Sequence, residues 1–97
     1  MIYMNNRSME EKEFLVRYYL RKRQKKESLI KKDEEARRFV ELIDIVLSQM
    51  PREEREILIN EFITNREGLW WDEFYSKSTY YRIKNLALND FLSLIRE

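Results

Sequence analysis

The chain contains no cysteine and no histidine, a single glycine (Gly68) and a single proline (Pro51). Without cysteine there can be no disulfide and no thiolate chemistry, and without either residue the usual zinc ligands are missing. The lack of histidine also removes the commonest proton shuttle at neutral pH. Strand-rich folds consume Gly and Pro in their turns, so their scarcity beside abundant Lys, Glu, Arg and Leu predicts helices. No apolar run approaches the roughly 20 residues that span a bilayer, and the N-terminus has no signal-peptide pattern. The expectation is a cytoplasmic protein with no membrane contact, no metal and no cofactor.

What remains is charge and helical periodicity. Ninety-seven residues, 43% of them hydrophobic, suffice for one domain with a modest core. Charged residues reach 38%, so most of the helix surface must be charged. The net charge of +1 hides a segregation: residues 17–32 carry eight bases and one acid, residues 33–61 four bases and nine acids. A block of excess positive charge points to a polyanionic partner.

Ser8 followed by Glu11 forms a capping-box pattern and predicts a helix start. Phe14, Leu15, Tyr18 and Tyr19 then recur at helical spacing, and the helix runs into Arg21, Lys22, Arg23, Lys25 and Lys26. A break is expected within 27–32. A second helix is predicted over 33–49, with acids in its first turn. Its buried stripe is Ala36, Phe39, Val40, Ile43, Val46, Leu47 and Met50, widened by Leu42 and Ile45. Pro51 opens a third helix as its first residue, with Leu58, Ile59, Phe62 and Ile63 inward, ending between Asn65 and Gly68. A short helix over 69–74, a tight turn at 75–77 and a long helix over 78–95 complete the chain. The last helix turns Tyr80, Ile83, Ala87, Phe91 and Leu94 inward. Of the adjacent Trp70 and Trp71, one should be core, because neighbouring helical residues diverge.

The fold class expected is therefore all-α, with four to five helices. Residues 1–32 would be an N-terminal helix and basic segment that could project, and residues 33–97 a helical domain. A short helix, a tight turn and a longer helix make a helix-turn-helix when the second presents polar residues outward, which places one at about 69–95. Lys77, Ser78, Tyr81, Arg82 and Asn85 fall off the inward stripe in the first turns of the last helix. Arg can bond guanine O6 and N7 together, and Asn can bond adenine N6 and N7. Ser76, Lys77, Ser78 and Thr79 suit phosphates, as does Lys84 near the groove rim. Arg21, Lys22, Arg23, Lys25 and Lys26 are candidates for further phosphate contact or for a solvated face.

The run Ser76-Lys77-Ser78-Thr79-Tyr80-Tyr81-Arg82-Ile83-Lys84, followed by Ala87-Leu88 and Phe91, resembles the C-terminal motif of ArpU-type phage late-transcription regulators. More distantly, with Met50-Pro51-Arg52-Glu53-Glu54-Arg55-Glu56-Ile57-Leu58 as its opening, the stretch from Leu47 to Ile95 is similar to region 4 of bacterial sigma-70 factors. Phe74 stands where those proteins carry a turn glycine. The resemblance implies a sigma-region-4-like helix-turn-helix whose last helix enters the major groove, with Lys77, Ser78, Tyr81 and Arg82 facing DNA. It also implies RNA polymerase as a partner beside double-stranded DNA.

Tyr18 and Tyr19 suit helix packing or self-association through the N-terminal helix better than base stacking. The acidic pairs Glu53-Glu54 and Asp72-Glu73 lack any converging polar set, so no enzyme is expected. The competing reading is a helical protein-interaction adaptor without DNA binding. The two differ in electrostatics: Lys77, Arg82, Lys84 and the Arg21–Lys26 block on one surface would favour DNA binding, and acids of 33–61 screening that face would favour an adaptor.

Overall fold

The computed structural model describes residues 7–96, so residues 1–6 and 97 of the two expected segments lie outside it. Among the described residues the fold is all-α, with four helices and no strand. The helix α1 covers Met9–Glu27 and starts where the sequence signals it. Ser8 Oγ accepts the Glu11 N–H at 3.2 Å, while the Glu11 carboxylate takes the Ser8 hydroxyl instead of its backbone N–H. Tight turns over 28–32 break the chain, and Asp33 caps α2, Glu34–Ser48, by accepting from Glu35 N and Ala36 N.

Helix α3 spans Arg52–Leu58 and continues as a π-helical turn, Ile59–Ile63. Pro51 occupies the capping position and Arg52 the first helical one, one residue later than the sequence suggests. The π turn closes with a bond from Thr64 N to Ile59 O at 2.7 Å. Asn65 (φ 55°), not Gly68, then takes the left-handed conformation that stops a helix. Gly68 (φ 67°) supplies a second left-handed residue three positions on. Helix α4 covers Lys77–Ile95.

The helix expected over 69–74 is a run of tight turns. Its backbone bonds go from Asp72 N to Leu69 O, and from Phe74 N and Tyr75 N to Trp71 O. Side chains fix this segment instead of a helical ladder. Trp71 is buried and stacks on Tyr80 at 4.4 Å between centroids, 9° from parallel. Trp70 is half-buried and donates its indole N–H to Glu61 Oε1 at 3.1 Å. Tyr80 donates its hydroxyl to the same oxygen.

Helices α1 and α2 pack against each other across the turns at 28–32, and α3 with its π turn runs antiparallel to α4, Glu54 lying beside Asp90 and Glu61 beside Tyr80. Helices α1 and α4 are parallel: Glu13 meets Lys84, and six residues later Tyr19 meets Phe91. One core cluster joins Val16 and Leu20 of α1, Ile43, Val46 and Leu47 of α2, Leu58 and Phe62, and Ala87, Leu88, Phe91 and Leu92 of α4. The N-terminal helix is thus a wall of the core and does not project. A smaller cluster of Ile57, Trp71, Tyr80 and Ile83 lies beneath the start of α4.

The expected faces shift in several helices. In α1 the buried line is Val16 and Leu20, while Phe14 and Tyr18 face solvent and Leu15 and Tyr19 pack at the margin. The cause is that α1 is flanked by α2 on one side and by the π turn and α4 on the other, so only its narrow middle is covered. In α2, Leu42 and Ile45 are exposed, and the true stripe is the narrower one. In α4 the buried line is wider than expected: it adds Lys84, Leu88 and Leu92 and loses Leu94, which is exposed in the last turn.

Candidate nucleic-acid interface

The first two turns of α4 are set by local chemistry. Ser76 is extended (φ −69°, ψ 161°), and its Oγ accepts the Thr79 N–H at 3.3 Å. The same hydroxyl donates to Thr79 Oγ1 at 2.9 Å. Ser76 therefore commits its hydroxyl to the cap, satisfying one of the donors every helix start leaves open, while Thr79 accepts and keeps its own O–H as a donor. Tyr80 and Ile83 anchor the inner side of these turns in the aromatic cluster with Trp71 and Ile57. Burial and the Glu61 carboxylate both push the Tyr80 hydroxyl well above the ordinary tyrosine range, so it stays a donor.

With that side fixed, Lys77, Ser78, Tyr81 and Arg82 are exposed and Asn85 is half-exposed. Lys77 and Arg82 make no ion pair within the described residues. These five are brought together as the sequence suggests, on one outward face over about two turns. The Tyr81 ring rests edge-on against Trp71 and Tyr80, at 6.3 and 5.2 Å between centroids, and the residue remains exposed.

Lys84 does not belong to this face. Its side chain is 9% exposed and its Nζ lies 2.6 Å from Glu13 Oε1 on α1. The ammonium is also within about 6 Å of the rings of Phe62, Tyr80 and Tyr81. This cation is committed to holding α1 against α4. The spacing carried the signal: Lys84 lies four after Tyr80 and three before Ala87, on the inward stripe. Nothing in the sequence singles out Glu13 as its partner.

The basic block divides as well. Arg23 Nε lies 2.7 Å from Asp44 Oδ1, and a second bond of 3.2 Å joins the same carboxylate. Asp44, with Glu27 further off, raises the Arg23 pKa by hydrogen bonding and charge. Arg23 is therefore a strap between α1 and α2 and not a phosphate ligand. Arg21 and Lys25 are exposed, Lys26 is half-exposed, and Lys22 lies over the Phe39 ring at 4.6 Å. Because α1 and α4 are parallel, this block sits toward the far end of α4. From the Glu13–Lys84 contact, a rise of 1.5 Å per residue puts Arg21–Lys26 roughly 20–25 Å along the bundle from Lys77–Arg82. The single basic surface that would unite Lys77, Arg82, Lys84 and Arg21–Lys26 is thus not formed.

Acidic groups approach the start of α4 from one side. Burial, followed by the charges of Glu53 and Glu56, raises the Tyr75 pKa, and Asp72 and Glu73 are exposed just before the turn. No helix of the described residues is long and apolar enough to cross a membrane. No protein-family model matches the chain, and no characterised protein or solved structure is significantly similar to it.

Proposed function

We propose that the chain is a sequence-specific DNA-binding regulator of transcription that reads duplex DNA with the outward face of the first two turns of α4. One observation carries this reading: Lys77, Ser78, Tyr81 and Arg82 are exposed together at a capped helix start, with Asn85 beside them, and the helix is held from behind by an aromatic cluster. Rigid support matters because base-edge recognition depends on fixed donor positions. Arg82 offers the two-pronged contact to guanine and Asn85 the corresponding contact to adenine. Lys77, Ser78 and the Tyr81 hydroxyl fit the phosphates on either side. The first helix expected of a helix-turn-helix is a run of tight turns here, so the reading rests on the α4 face and not on the complete motif. The likeness of Ser76–Phe91 to ArpU-type and sigma-region-4 motifs supports the same assignment, with RNA polymerase as a further partner and the cytoplasm as the place of action.

Selection of bound sequences from random duplex DNA tests it. An enriched motif that Arg82→Lys relaxes at one base pair supports the reading. Recovery of unselected sequence by the folded protein overturns it. A second reading, an adaptor that binds protein and not DNA, is favoured by Glu53, Glu56, Asp72 and Glu73 beside the α4 start and by the neutralisation of Lys84. It predicts no enrichment at any salt concentration.

A further inference from the structure

The outer face of α1 has a composition that the fold does not explain. Phe14 is 66% and Tyr18 52% exposed, one turn apart on a well-formed helix, and Leu29 is exposed beyond its end. These three floor an open groove of about 470 Å³ whose rim is Arg21, Lys22, Lys25 and Lys26, with no carboxylate among its lining residues. Arg21, Lys25 and Lys26 make no ion pair within the described residues. Four of the chain's own acids on the neighbouring helices are held elsewhere, Asp44 on Arg23, Glu13 on Lys84, Glu34 and Glu41 on Arg37, while Glu10 and Glu11 stand beyond Phe14 at the near end.

We propose that this groove docks an acidic amphipathic helix of another protein, its apolar residues covering Phe14, Tyr18 and Leu29 and its carboxylates meeting Arg21, Lys25 and Lys26. Charge complementarity selects this occupant. A bare polyanion would engage the cations and leave the apolar floor wet. A neutral apolar helix would cover the floor and strand the cations. An amphipathic acidic helix satisfies both, in the helix-in-groove manner. Tyr18 is also poorly placed for base stacking: the Lys22 ammonium lies 5.8 Å over its ring, and Tyr19 meets it edge-on at 5.5 Å. The distance from Phe14 to the end of α1 at Glu27 is about 20 Å at 1.5 Å per residue, so the occupant spans about 14 residues. The cations of this site lie roughly 20–25 Å along the bundle from Lys77–Arg82, although Phe14 at its near end is level with Asn85, and its test does not depend on DNA binding.

The experiment is fluorescence anisotropy of the intact protein with a labelled peptide of about 14 residues, four turns of helix. The peptide carries Leu at i, i+3, i+4 and i+7 positions and Glu on the flanks. Its comparators are a scrambled peptide of identical composition, an oligothymidylate single strand, and vesicles containing phosphatidylserine. Binding of the amphipathic peptide about tenfold or more above the scramble is expected, and Phe14→Ser with Tyr18→Ser should lower it by about tenfold. Arg21→Glu with Lys25→Glu should lower it similarly and flatten its salt dependence. All four positions are exposed, and circular dichroism confirms the fold of each variant. Equal binding of both peptides overturns the proposal, as does preferential binding of the oligonucleotide or the vesicles. So does a concentration-dependent dimer in sedimentation that the same variants abolish, which would assign the face to a second copy.

Discussion

Replacing Lys84 by alanine discriminates most sharply between a lysine that serves DNA and one that serves the fold. The substitution removes a buried aliphatic stem and leaves Glu13 without its partner. Three methylenes at about 0.8 kcal/mol each amount to roughly 2.4 kcal/mol of lost burial. The orphaned carboxylate adds less than a fully buried one would, because Glu13 is 26% exposed and Arg17 stands 3.9 Å away to take over part of its charge. A total near 3 kcal/mol is expected, at the lower edge of what breaking a buried pair costs. For a domain of this size that is a fall of about 10–20 °C in Tm. Lys84→Met keeps the stem and should lose about 1.5 kcal/mol or less. Urea denaturation followed by circular dichroism gives both values, and a cycle with Glu13→Gln should show a coupling of about 1 kcal/mol or more. If Lys84→Ala melts like the parent but binds duplex DNA more weakly, the lysine points outward and the packing of α1 on α4 is wrong.

Glu54 offers a pH test. Burial first, then the neighbouring Asp90 carboxyl and Glu53, push its pKa up to about 8, and its Oε1 is buried without a hydrogen-bond partner. The folded state therefore holds a proton that the unfolded chain releases near the ordinary carboxyl value, so the associated stability is lost as pH rises from about 4.5 to about 8. Glu54→Gln should flatten that part of the stability profile and be the more stable protein at pH 8, by an amount on the order of 2 kcal/mol; a profile identical to the parent would contradict it. Ala87 is fully buried where α4 meets the core, so Ala87→Leu should destabilise by about 1–3 kcal/mol in thermal melts. In duplex binding, neutralising Arg21, Lys22, Lys25 and Lys26 should leave the salt slope nearly unchanged, whereas Lys77→Ala should lower it by roughly 0.9. The opposite pattern would move the DNA face to α1.

Short-range physics made much of this protein legible from its sequence. Ser8 caps the helix its spacing to Glu11 announces, because a cap depends on residues within one turn, whereas Asp33 caps α2 instead of opening it and Ser76 caps α4 where a turn was expected. The stripes Ala36–Val40–Ile43–Val46–Leu47 and Tyr80–Ile83–Ala87–Phe91 are buried as their spacing requires. The outward set Lys77, Ser78, Tyr81, Arg82 and Asn85 follows from the second of these by subtraction. Where several helices compete for one surface, periodicity fell short. Val16 and Leu20 prevail over the larger Phe14 and Tyr18 because the positions of α2, α4 and the π turn decide which strip of α1 is covered. Residues 69–74 have helical spacing, yet Trp71 stacking on Tyr80 and Glu61 gathering Trp70 and Tyr80 fold them into turns. The fate of the cations was tertiary too. Sequence shows a charge but not its partner: the packing of α1 on α2 binds Arg23 to Asp44, and the parallel packing of α1 on α4 commits Lys84 to Glu13 and carries the remaining basic residues away from the start of α4.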